Sequence, residues 1–123
     1  MNTILYFQEK AEIRNNSAFK ILIVPKNIQT KEDLFAAYRN GLNFPDYFGN
    51  NWDALYDCLI DLSWIDNNTI QIIHDDIPFE KNSNEQAIYL NVLLDVLSAW
   101  NDNPAHNIII YFSESYRQTL EQH

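Results

Sequence analysis

Apolar residues along the chain fall into three short, mostly β-branched runs: ILIV (Ile21 to Val24), IQII (Ile70 to Ile73) and IIIYF (Ile108 to Phe112). Runs of that length and type predict strands buried on both faces. Helical periodicity separates them. A first helix is predicted from about Lys31 to Asn40, opening after Thr30 with Asp33 three positions on, close to a capping box, and stopped by Gly41. A second follows Asn50 and Asn51, both good caps. A third runs from about Asn84 to Trp100, with Ser83 and Gln86 at capping-box spacing and Pro104 beyond its end. Strands alternating with helices imply right-handed crossovers and an α/β fold with a small parallel sheet of three strands. Residues 3 to 7, TILYF, are a candidate fourth strand at an edge, and the tail after Ser113 is expected to be partly helical.

The 123 residues suit one domain, and a hydrophobic share of 46% supplies enough apolar surface to offset the entropy of ordering it. The single cysteine, Cys58, excludes an internal disulfide or a Cys-rich zinc site and suits a reducing compartment. The start, MNTILYFQEK, lacks the pattern of a secretory signal, and no run of about 18 apolar residues occurs. A cytoplasmic, soluble protein is expected.

Charge changes the picture most. The net charge is −9, and residues 40 to 80 carry eight acidic residues and no Lys or Arg. Nucleic acid and anionic membranes would be repelled by such a surface, so a cationic protein is the expected partner. The centre of this segment is FPDYFGNNWDALYDCLID, from Phe44 to Asp61. At about 100° per residue, Leu55, Leu59 and Leu62 share one side of the second helix with Cys58 at its margin, while Asp53, Asp57 and Asp61 share the other. Cys58 reads as a small buried filler.

Most acidic runs on helices are simply solvated faces. This one is costly. Carboxylates four apart repel by roughly 0.2 to 0.5 kcal/mol per pair, and no Lys or Arg relieves them. Only Asp53 lies where the helix dipole favours a negative charge, whereas Asp61 lies at the disfavoured end. Beside the stripe stand Tyr47 and Phe48, on a loop punctuated by Pro45 and Gly49, and Tyr56 and Ile60, between the apolar and acidic sides. Trp52 and Phe48 are also expected to contribute to the core. Carboxylates fringed with tyrosines suit an interface for Arg and Lys. The candidate partner-binding residues are Tyr47, Phe48, Asn51, Asp53, Tyr56, Asp57, Ile60 and Asp61.

The stretch FPDYFGNNWDALYDCL resembles the helix-entry segment of the barstar family, small intracellular inhibitors of secreted microbial ribonucleases. Upstream KEDLFAAYRNGL and downstream IQIIHD and IIIYFS are similar to that family's other core elements; residues 1 to 18 and 114 to 123 lie outside the resemblance. It implies a barstar-like α/β fold and an inhibitor that plugs a ribonuclease's cationic active site, binding as a monomer with 1:1 stoichiometry in an immunity or antitoxin role. It further implies that Tyr47 stacks on the catalytic face, Asp53 meets an active-site Arg or Lys, and Asp57 takes the place of a substrate phosphate. The chain departs from the best-known member at Asn50 (acidic there), Tyr56 (tryptophan there) and Asp61 (glycine there). A glutamate of the family's last helix falls near Ser98 and Ala99, with Asp95 and Asp102 as the nearest substitutes. A partner other than the founding enzyme is therefore expected.

Two other classes compete. A carboxylate enzyme needs two carboxyls about 5 to 10 Å apart in a cleft, and Asp53 and Asp57 stand instead on one convex helix. Neither a catalytic glycine loop nor a nucleophile elbow accompanies them. The histidines His74, His106 and His123 are scattered, and no calcium-loop pattern occurs, so neither a metal nor a cofactor is expected. His74, beside Asp75 and Asp76, reads as a solvated strand end. The remaining alternative is a non-catalytic interaction module that binds another basic protein or a toxin without nuclease activity.

Overall fold

The computed structural model describes residues 3–13, 16–102 and 106–122. Four strands, β1 (Thr3–Phe7), β2 (Phe19–Val24), β3 (Thr69–His74) and β4 (Asn107–Ser113), form one parallel sheet in the order β1-β4-β3-β2. The helices are α1 (Lys31–Gly41), α2 (Trp52–Asp61), α3 (Ser83–Asn101) and the short α4 (Arg117–Glu121). The sheet is the small parallel one expected, and the N-terminal segment supplies its fourth strand by pairing with β4.

From β2 to β3 to β4 the chain steps the same way across the sheet, so right-handed crossovers lay α1, α2 and α3 on one face. The register lines up Leu22, Ile72 and Ile110 on that face, and all three are buried. Only β3 is buried along both faces. β2 and β4 alternate instead, and Ile23 is 50% exposed on the face away from the helices. The uniform apolar runs concealed this, because an isoleucine at an open position leaves the same mark in sequence as a buried one.

Local signals account for most helix ends. The Thr30 side chain accepts from Asp33 N at the start of α1. Gly41 does not stop that helix by a left-handed turn; it is the last helical residue, and a Cβ there would lie 2.2 Å from Leu22 Cδ1. Its role is to let α1 approach β2 closely. The cap of α3 is Asn82, accepting from Glu85 N, one residue ahead of the Ser83 pattern. Gln86 reaches back to the carbonyls of Pro78 and Phe79 instead. Pro104 and His123 lie outside the described residues.

His74 corrects the sequence reading. It is fully buried, with its ring stacked on Phe112 at 3.9 Å. The Tyr111 carbonyl, 3.0 Å from Nδ1, can only accept, so Nδ1 carries the hydrogen. Nε2 then accepts from Tyr89 Oη at 2.7 Å, and Tyr89 accepts from Tyr38 Oη at 2.6 Å. This relay ties β3 to α3 and α1. Burial lowers the His74 pKa to about 4, against weaker opposing effects of the Tyr111 hydrogen bond and the Asp75 charge.

Candidate functional site

The site is built on α2 and the loop before it. The Asn51 side chain caps the helix by accepting from Ala54 N at 2.8 Å, and Leu62 closes it in a left-handed conformation. Leu55, Cys58 and Leu59 are buried, and α2 packs against α3. Trp100, from the end of α3, donates its indole N–H to the Leu59 carbonyl at 2.7 Å. The apolar side thereby fixes the helix, and Asp53, Asp57 and Asp61 are left exposed on the other.

Burial, followed by the charges of Asp61 and Asp57, raises the Cys58 thiol pKa. A thiol held protonated in the core is a poor nucleophile. Cys58 is packing.

In the preceding loop, Phe48 N bonds the Pro45 carbonyl at 3.0 Å and turns the chain so that neighbouring aromatics part company. Phe48 is buried, edge-on to Phe35 and Phe44. It is a core residue that supports the loop, and its buried ring is turned away from the surface on which Tyr47 lies. Tyr47 points the other way and is 70% exposed. Its hydroxyl donates to Asp61 Oδ2 at 3.2 Å, so the ring lies along the acidic side of α2. Asn51 is exposed at the helix start, while Tyr56 and Ile60 are half-buried between the two sides.

The structure adds residues that the local sequence could not. A groove of about 320 Å³ runs between α2 and α3, lined by Trp52, Asp53, Tyr56, Ile88, Asn91, Val92 and Asp95. Asp95 therefore shares a groove with Asp53, and Asp102 is not part of its lining. Trp52 is only half-buried, packed against Phe35, Phe79 and Tyr89. The three-residue spacing of Trp52 and Leu55 revealed the inner side of α2, but nothing local revealed that α3 would bring an acid beside it. Among the described residues no group of three or more His, Cys, Asp or Glu side chains could hold a metal ion. Among the described residues no helix is long and apolar enough to cross a membrane.

The family model described as Barstar (barnase inhibitor) matches residues 19–113 of the chain. The chain belongs to the barstar family. The matched region holds α2, its loop and the α3 groove, together with β2, β3 and β4, whereas β1 and α4 lie outside it. The chain is also 43% identical over 47 residues to a Bacillus subtilis (strain 168) protein named "Putative ribonuclease inhibitor YrdF". That match takes in 38% of this chain and 50% of the relative, so the chain spans about half the length of the relative it matches. Membership in the barstar family and the observed parallel α/β sheet agree with the resemblance found in FPDYFGNNWDALYDCL.

Proposed function

We propose that this protein is a non-catalytic inhibitor that binds a cationic microbial ribonuclease, covering the enzyme's active site with α2 and the Tyr47 loop. One observation carries the reading: Asp53, Asp57 and Asp61 stand exposed on a rigidly packed helix, with the exposed ring of Tyr47 laid beside them and no cation interspersed. A pocket arranged to hold RNA phosphates offers Arg and Lys donors that accept a carboxylate equally well. In this reading Asp57 takes the central phosphate position, Asp53 meets an Arg or Lys, and Tyr47 stacks on the catalytic face. Asp95, beside Asp53 in the α2–α3 groove, supplies the acid contributed by α3. Asn51, Tyr56 and Ile60 frame the contact. Membership in a family described as barnase inhibitors supports the assignment, as does the relative's printed name. Such an inhibitor serves a cell as cytoplasmic immunity against a ribonuclease, as a monomer that binds its target 1:1.

The test is RNA cleavage by barnase and a set of basic secreted bacterial ribonucleases, each titrated with the purified protein. Stoichiometric loss of cleavage by at least one enzyme is expected. If none is inhibited or bound, the ribonuclease assignment fails and the acidic surface belongs to another basic protein.

A further inference from the structure

A second cleft lies between α1 and the loop that precedes α2. It measures about 360 Å³ and is lined by Lys31, Glu32, Phe35, Arg39 and Asn50. Lys31 opens α1 and Arg39 stands in its last turn, with Phe35 midway; steps of four put the three on one helix face. Phe35 is buried and touches both Phe48 and Trp52 edge-on, so the floor of the cleft is continuous with the aromatics beneath the loop and α2.

Arg39 is oriented but not neutralised. Its Nη1 donates to Asn50 Oδ1 at 2.8 Å, and that amide carries no charge. Among the described residues neither Lys31 nor Arg39 has a carboxylate within 4 Å, although Glu32 is on the same lining. A guanidinium has five donors in a planar fork, so most of Arg39's remain for a ligand. The charge is unusual for its place, because the next 41 positions, 40 to 80, contain no Lys or Arg.

We propose that this cleft is a carboxylate-binding subsite of the partner interface, taking an Asp or Glu side chain that the ribonuclease carries at the rim of its cationic site. The inference rests on the inhibitor reading above. Asn50 belongs to the cleft and directly precedes Asn51, the cap of α2, so a group held by Arg39 lies against the first turn of the acidic helix. A contact patch of about 800 Å² per partner, centred on Asp57, extends past that turn. The subsite also gives the interface something the stripe lacks. Three aspartates at equal spacing present nearly the same face to a cluster of cations one helical turn up or down, and long-range attraction alone does not choose among those positions. One cation pair at one end, matched to one acid of the partner, breaks that equivalence and fixes the register.

The sign of a mutational effect tests the idea. Against a cationic partner, removing a positive charge should strengthen binding if only the overall field matters. Lys31→Gln and Arg39→Gln are therefore titrated calorimetrically beside wild type and Asp57→Ala, using whichever enzyme binds tightest among barnase and the basic secreted ribonucleases. Lys31→Gln is the cleaner variant, because the hydrogen bond to Asn50 in the loop is made by Arg39 and not by Lys31. Each Gln variant is expected to weaken binding by about three- to tenfold, as for a partly exposed charge pair, with unchanged melting temperature. Equal or tighter binding by Lys31→Gln, while Asp57→Ala is weakened, overturns the subsite and leaves the inhibitor reading standing. Failure of wild type to bind any of these enzymes overturns both.

Discussion

Tyr47 and Asp61 are joined across the acidic side of α2: the phenol donates to the carboxylate at 3.2 Å, although fourteen residues separate them. The loop that enters the helix is thereby fastened to the helix's last residue. Asp61 sits where the helix dipole disfavours a negative charge, and the Tyr47 hydroxyl gives that charge a local donor. The same contact holds an exposed aromatic ring in one place before any partner arrives, which reduces the ordering cost of binding.

Tyr47→Ala should therefore weaken binding to the proposed ribonuclease partner strongly, whereas Tyr47→Phe, which keeps the ring and loses only the exposed hydrogen bond, should cost far less. Both should change unfolding stability by no more than about 0.5 kcal/mol, as is usual for surface positions. Hydroxyl-radical footprinting provides the check: Tyr47, 70% exposed when free, should be protected in the complex, and half-buried Tyr56 should be protected to a smaller extent. Unchanged labelling of both would move the interface elsewhere.

Asp57 is the centre of the stripe, one turn from Asp53 and one from Asp61. Asp57→Ala should reduce affinity by at least about thirtyfold, the roughly 2 kcal/mol mark of a hot spot. Asp66→Ala and Asp102→Ala, also exposed but off the stripe, should change it little. Thermal stability should hold or rise slightly in Asp57→Ala, because alanine favours helix and the substitution removes two carboxylate repulsions. Calorimetric titration of the three variants decides the matter, and equal losses in all three would deny the stripe its central place.

What could be read from sequence divides along physical lines. α2 and its stripe were legible because they depend on helical periodicity and an adjacent Asn cap, both local. Phe48 was ambiguous because a turn decides which of two neighbouring aromatics faces inward, and Tyr47 and Phe48 look alike in composition. The helix end at Gly41 was legible, but its packing role was not, because the close approach to Leu22 leaves no mark in the neighbouring sequence. His74 was misplaced because two following aspartates suggest water, while its partners, Tyr89 and Tyr111, are distant in the chain. That Asp95, and not Asp102, lines a groove with Asp53 depends on the packing of α3 on α2, which no local pattern reveals.

The buried His74 predicts a specific dependence of stability on pH. Its pKa is about 4 in the folded protein and about 6.5 when unfolded, so only the unfolded chain takes up this proton between those values. Stability is then fully present above about pH 6.5 and falls as the pH drops towards 4, by about 1.4 kcal/mol per unit once well below 6.5. Protonation would also reverse the relay, since a charged ring must donate from Nε2; Tyr89 would then donate to Tyr38, leaving the Tyr38 hydroxyl without its acceptor. Urea unfolding should show a loss of about 2 kcal/mol between pH 7 and 5. The His74 ring resonances should stay close to the neutral position at pH 5 and reach their titration midpoint only near pH 4. A ring that titrates near 6.5 in the native protein would contradict the buried relay.

The last prediction concerns the rate of encounter, and it follows from where the charges stand. With exposed Asp53, Asp57 and Asp61 on one side and no cation from 40 to 80, the field over α2 should orient a basic partner before contact. Association should then exceed the roughly 10⁵ to 10⁷ M⁻¹s⁻¹ of unsteered docking. The distance over which charges act shortens from about 30 Å at 0.01 M to about 3 Å at 1 M ionic strength, which removes attraction between separated molecules and leaves contacts in the formed complex less affected. Across that range the association rate should fall by about tenfold or more, while dissociation changes much less. Stopped-flow mixing with the proposed ribonuclease partner at several salt concentrations measures both. A rate of association indifferent to salt would return the three aspartates to the role of an ordinary solvated face, and would leave the Tyr47 loop to account for binding without them.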